Sequence, residues 1–172
     1  MGMTGVQRPS ALETGAVPVS ALYRARYPEL VRLAALLGAD DPEDVAQEAF
    51  ARLIRGQRTL RDQDAALAYV RSTVCNLVRN RHRHLRMARL RTVAGHDEAS
   101  SEQAVMVRED RRELLVALAA LSPRRREAIV LRYWLDMSER EMAALMGVSP
   151  GTVKSLVSRG LDALGEALEG KL

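Results

Sequence analysis

The chain has 172 residues, 47% of them hydrophobic but only 3% aromatic, and a formal net charge of +4. That profile suits small helical units and argues against a β-sandwich or barrel. A charged fraction of 28% with no apolar run approaching a membrane span excludes membrane insertion, and a single cysteine excludes an internal disulfide or a cysteine-rich metal site.

Residues 1–18 contain no apolar core of the kind a secretory signal needs, so they read as a flexible tail on a cytoplasmic protein. From Ser20 to Leu37 the apolar residues Leu22, Tyr23, Tyr27, Leu30, Val31, Ala34 and Leu37 recur at helical spacing. Pro28 interrupts them, which predicts two helical pieces or one kinked helix, and Gly38 ends the segment. The stretch "DDPEDVAQEAFARLIRG" opens with Asp41 as N-cap and Pro42 in the first helical position. Val45, Ala46, Ala49, Phe50, Leu53 and Ile54 form one broad apolar stripe. Glu43, Asp44, Gln47, Glu48 and Arg52 line the other side, and Gly56 closes the helix. After a polar loop, Ala65 to about Arg91 is a long helical pattern whose predicted buried face is Leu67, Val70, Val74, Leu77 and Val78. Cys75 lies within it and reads as a small buried hydrophobe.

Residues 92–110 hold one Arg against five acids and read as an acidic linker. Leu114 to Leu121 is helical, and Ser122-Pro123 opens another helix through about Tyr133. Trp134, beside the apolar run "IVLRYWL", is expected in the core. Ser138 and Glu141 form an S-x-x-E capping box, with Met142 and Leu145 pointing inward. Gly147 stops that helix, and Ser149-Pro150 starts the last one, which runs to about Leu168. The expected fold is all-α, with two small helical domains: a tail over 1–18, a domain over 19–91, a flexible linker over 92–110 and a domain over 111–168.

Three signals bear on function. The first is the capped helix, Gly-Val-Ser turn and second capped helix over 138–168, which has the spacing of a helix-turn-helix. Such a unit inserts the N-terminal end of its second helix into the major groove, which here presents Thr152, Lys154, Ser155, Ser158 and Arg159. The second is "VRSTVCNLVRNRHRHLRMARLR", residues 70–91, with seven Arg and no acid. Asn76, Arg79, Asn80 and Arg83 share one face of it, Arg suiting phosphates and Asn base edges. His82 and His84 lack a third ligand for a metal. The third is the acidic face of Glu43, Asp44, Gln47 and Glu48, which a simple DNA reader does not need. Nothing resembles a catalytic set, a phosphate-binding loop or a cofactor site, so the chain reads as a non-enzyme with no cofactor.

"DPEDVAQEAFARL", "AYVRSTVCNLVRN" and "LAALSPRRREAIVLRYWLDMSEREMAALMGVSPGTVKSLVSRGLDAL", in that order, resemble the extracytoplasmic-function (ECF) sigma factors of the bacterial sigma-70 family. "TVKSLVSRGLDAL" is most similar to the SigE-like actinobacterial branch. The resemblance implies that Asp44, Gln47, Glu48 and Arg52 dock on the β′ clamp helices of core RNA polymerase, with the β flap as a further contact. It implies a −10 surface of Asn76, Arg79 and Asn80, flanked by Arg71 and Arg83, with a base pocket in the loop at about 61–65. The −35 element would be read by Ser149, Thr152, Lys154, Ser155, Ser158 and Arg159, and the linker would hold the two promoter contacts apart. An anti-sigma factor is a further partner the family often uses. Leu156 stands where many members carry a basic residue. On the residues alone the competing reading is an autonomous helix-turn-helix regulator. Residues 111–172 carry only 10 bases against 8 acids, weak for a domain that must find DNA unaided.

Overall fold

A computed structural model describes residues 19–56, 62–91 and 109–170, which form helices and no strand. In order these are α1 (Val19–Leu37), α2 (Pro42–Arg55), α3 (Gln63–Arg91), α4 (Glu109–Ala120), α5 (Pro123–Tyr133), α6 (Glu139–Met146) and α7 (Pro150–Glu169). The first three pack on one another as an N-terminal bundle and the last four as a C-terminal bundle. Residues 1–18 and 92–108, read as tail and linker, lie outside the described residues. Of the loop proposed as a base pocket at about 61–65 only Arg61 does; Gln63 to Ala65 form the first turn of α3 instead of a loop, because Asp62 caps the helix two residues earlier than the sequence pattern predicts.

Helix α1 runs through Pro28 without a break. Pro28 cannot donate to the Arg24 carbonyl, but both residues are exposed, so the missing bond lies on the solvent side and the helix continues. At its end Gly38 takes φ +89°, the left-handed region that favours glycine. The Gly38 N–H donates to the Ala35 carbonyl and the Ala39 N–H to the Ala34 carbonyl, each at 3.0 Å. In α2 the Asp41 carboxylate accepts from the Asp44 N–H at 2.9 Å, and Val45, Ala46, Ala49, Phe50 and Leu53 are buried as the stripe predicts. Tyr23 stacks on Tyr27 and meets Phe50 edge-on, with centroids 4.7 and 4.9 Å apart. Asp62 caps α3 by accepting from the Ala65 N–H at 2.7 Å. The predicted face of α3 is buried, and Cys75 with it. Burial pushes the Cys75 thiol up to about 12, with the nearby Glu127 charge adding to the rise.

In the C-terminal bundle α5 buries Ala128, Ile129, Val130 and Leu131, α6 buries Met142, Ala143 and Met146, and α7 buries Val153 and Gly160. Trp134 departs from expectation: it is 46% exposed, beside an exposed Tyr133. Residues 128–131 already fill the inward positions of α5, and the helix ends at Tyr133, so the indole is left at the surface. Leu145 is half-buried against the core rather than fully inside. Leu156 is likewise packed against the core, which accounts for an apolar residue in an otherwise polar helix face.

The two bundles are not held apart. Helix α5 lies against α1 and α3, and Leu36 of α1 packs onto Leu118, Leu121 and Ile129. Arg126 donates from Nη2 to the Ala35 carbonyl at 3.1 Å and from Nε to the Leu36 carbonyl. These carbonyls belong to the last turn of α1, where Ala35 also accepts from the Gly38 N–H, so a guanidinium of one bundle completes the cap of a helix of the other. His82 contacts the Gly38 carbonyl at 2.9 Å, closing the same corner from α3. Between α3 and the α4–α5 corner lies an open cleft of about 930 Å³ with Leu37, Val78 and Leu121 along its apolar part.

Candidate functional site

The residues singled out from the sequence fall on three surfaces. On α2, Asp44, Gln47 and Arg52 are exposed and Glu48 half-exposed, on the side opposite the apolar stripe. None is idle. Arg52 and Arg55 both donate to Glu48 Oε1 at 2.8 Å, and the Arg52 hydrogen bond with the Arg55 charge holds the Glu48 carboxyl below the usual carboxylate range. Asp44 pairs with Arg81 of α3, and Gln47 reaches the Tyr27 hydroxyl at 3.4 Å. The face is therefore a set of charges ordered by neighbours, accessible from one side. Such exposed pairs are weak and readily exchanged for an external partner.

On α3 the Arg/Asn face is real but not uniform. Asn76, Asn80 and Arg83 are exposed. Arg71 is turned toward α1, where its Nε donates to Glu29 Oε1 at 2.9 Å, so it acts as a strut between two helices of the bundle. Arg79 donates from Nη1 to the Asn76 side-chain oxygen at 2.9 Å and from Nε to Glu127 Oε2 of α5 at 3.4 Å. Its Nη2 meets Glu127 Oε1, completing a two-pronged pair. Arg124 also reaches Glu127 Oε2 at 3.4 Å and donates to the Met146 carbonyl at 3.2 Å, at the end of α6. Sequence reasoning missed Arg124, Arg126 and Glu127. They sit in "SPRRREAIV", whose signal was taken up by the helix start, and their partners lie far away in the chain.

On α6 and α7 the helix-turn-helix has the predicted caps. Ser138 accepts from the Glu141 N–H at 3.3 Å while Glu141 accepts from the Ser138 N–H at 2.8 Å, closing the capping box. Gly147 takes φ +65°, ending α6. Ser149 Oγ accepts from the Thr152 N–H at 3.2 Å and shares a hydrogen bond with the Thr152 hydroxyl at 2.9 Å. Lys154, Ser158 and Arg159 are exposed and Ser155 half-exposed, whereas Val153 is fully buried, locking the first turns of α7 against the bundle. The arrangement presents hydroxyls and two cations along the first half of α7, which suits phosphates and base edges.

Among the described residues no group of three or more His, Cys, Asp or Glu could hold a metal ion, and no helix is long and apolar enough to cross a membrane.

The chain matches the family models for sigma-70 region 2 over residues 22–87 and sigma-70 region 4 over residues 111–164. It is 36% identical over 149 residues to the RNA polymerase sigma-E factor of Streptomyces coelicolor, covering 84% of this chain and 82% of that one. The sigma-E factor of Streptomyces antibioticus is 35% identical over 152 residues, covering 86% of this chain and 83% of the other. In fold it is similar to CnrH, solved with the cytosolic domain of CnrY, at a TM-score of 0.62 and 24% identity over 90% of this chain and 89% of that one. It is also similar to the sigma factor RpoE of Bartonella quintana, solved with the anti-sigma factor NepR, at a TM-score of 0.58 and 24% identity over 87% and 96% of the two chains. The acidic helix face, the basic helix and the helix-turn-helix thus occur together in a chain that belongs to the ECF sigma factors of the sigma-70 family, which direct promoter-specific initiation by RNA polymerase.

Proposed function

We propose how the work of initiation is divided among these surfaces. The α2 face of Asp44, Gln47, Glu48 and Arg52 docks on the β′ clamp helices of core polymerase. Asn76, Arg79, Asn80 and Arg83 on α3 meet the −10 element, and Ser149, Thr152, Lys154, Ser155, Ser158 and Arg159 read the −35 element. Residues 19–91 and 111–168 act as separate domains on the polymerase, joined by the linker, with the β flap contacting the second. The observation that carries this reading is the co-occurrence of two DNA-type surfaces with an acidic helix face on a single chain, with Asn76, Asn80, Arg83, Lys154, Arg159, Asp44 and Gln47 all exposed. Arg71, engaged with Glu29, contributes to −10 binding by fixing α3 against α1. The protein acts in the cytoplasm without a catalytic centre or cofactor of its own, since bond formation belongs to the polymerase. An anti-sigma factor is a fitting partner, because the solved relatives RpoE and CnrH were captured in complexes, RpoE with a named anti-sigma factor.

Purified protein with core polymerase is expected to initiate from a promoter with matching −35 and −10 elements, and neither component alone should do so. Replacing Asp44 and Glu48 together by Arg should reduce core binding by at least tenfold in a pull-down titration, with circular dichroism unchanged. Undiminished core binding by that folded variant would refute the docking assignment.

A further inference from the structure

Every nitrogen of the Arg79 guanidinium is taken: Nε and Nη2 by Glu127, Nη1 by Asn76. The Glu127 side chain is only 8% exposed and sits between two guanidiniums, those of Arg79 and Arg124. Its carboxylate offers Arg79 two oxygens side by side, the geometry a DNA phosphate would offer. The preceding residue of α5, Arg126, grips the end of α1, so adjacent side chains of the C-terminal bundle hold two different helices of the N-terminal one. A carboxylate this buried needs a cationic partner, and in the closed chain it has two.

We propose that Glu127 is an internal substitute for promoter phosphate: in the free chain it latches the helix-turn-helix bundle onto α3 and occupies Arg79, so that the chain must open before this side chain meets −10 DNA. The inference rests on the assignment of Arg79 to the −10 surface. Closure and DNA contact then exclude one another, because the same Nε and Nη2 donors serve both. The free chain's affinity for −10 DNA is lowered in proportion to its open fraction. Core polymerase, by binding the two bundles at separate places, would release the latch. Arg124 stays with Glu127 on opening, since both belong to α5, so the carboxylate is not stranded without a partner.

The test uses the full chain with Glu127→Gln, and Arg126→Met as a second, independent way to weaken the contact. Glu166→Gln, at an exposed position on α7, controls for the loss of one negative charge. Small-angle scattering should show both latch variants expanded relative to the parent, and the single thiol, Cys75, which lines the same cleft, should react with a maleimide at least tenfold faster. Binding of a fluorescent −10 oligonucleotide by the free chain should tighten about tenfold in both, and not in the control. Unchanged scattering, thiol reactivity and DNA affinity in both folded variants would overturn the latch. Opening without tighter DNA binding would overturn the masking. Arg79→Ala assayed in the holoenzyme separates the underlying assignment: if −10 dependence of transcription is intact there, Arg79 is not a −10 contact, whatever the latch variants show.

Discussion

A methyl group on Gly160 would stand 2.9 Å from Ile129 Cγ1 and 3.4 Å from the Arg125 carbonyl oxygen, closer than side chains ordinarily pack. Alanine is the better helix former by about 1 kcal/mol, but overpacking at a fixed helix crossing outweighs that gain. Gly160→Ala is therefore expected to lower stability by about 1–2 kcal/mol, read from the midpoint of urea unfolding. The Cys75 thiol makes a separate prediction about pH. Burial raises it from 9.0 to about 12 in the folded protein, so between those values the native state holds a proton that the unfolded chain has lost. Stability should be unaffected by this group below about pH 9 and should fall above it, by up to about 1.4 kcal/mol per pH unit. Unfolding midpoints from pH 8 to pH 11 should show the slope in the parent and a shallower one in Cys75→Ala. Tyr23, raised chiefly by burial and then by Tyr27, adds a decline of the same sign only above pH 10, in both proteins. At this scale the sequence was informative wherever a residue's environment is decided by periodicity, as for Cys75. It was silent where the environment depends on a neighbouring helix, as for Gly160 and Leu156.

The helix starts were the most legible elements, because a cap is settled within three residues of chain. Asp41-Pro42, the Ser138–Glu141 box and Ser149-Pro150 all adopt the hydrogen bonds their sequence predicts. Helix α4 was less so. It begins at Glu109, inside the stretch read as linker, and Leu114, Leu115 and Val116 are all substantially exposed, so its apolar residues do not report a single buried face. The two caps of the helix-turn-helix should be separable by function. Ser138→Ala and Ser149→Ala each remove one N-cap and are expected to cost about 1 kcal/mol of stability. Only Ser149→Ala also releases Thr152, whose hydroxyl and N–H are both held by Ser149. Gel-shift titration of holoenzyme on a −35 promoter should weaken for Ser149→Ala and stay close to the parent for Ser138→Ala.

For the molecule as a whole, the fold class and both bundles followed from pattern, but their mutual packing did not. Arg79 and Glu127 are 48 residues apart, and Arg126 is 90 residues from the Leu36 carbonyl it caps. Neither pair leaves a periodic trace, and a basic run reads the same whether its arginines face DNA or a carboxylate. Because an α1 terminus is completed by an α5 side chain, the bundles should unfold as one cooperative unit. Calorimetry is expected to give a single transition for the parent and two resolved transitions for Arg126→Met, the lower belonging to the bundle that loses more of its contact.

Gly38 turns this packing into a genetic liability. A Cβ there would lie 2.7 Å from Arg126 Nη1, in a backbone conformation that side chains rarely adopt. Any substitution would press directly on the arm that holds the helix-turn-helix bundle, although position 38 lies on none of the three surfaces assigned to polymerase or promoter. Alleles that loosen restraint on this protein should therefore cluster around an unremarkable loop glycine as well as at the charged residues, and a screen restricted to promoter contacts would overlook them.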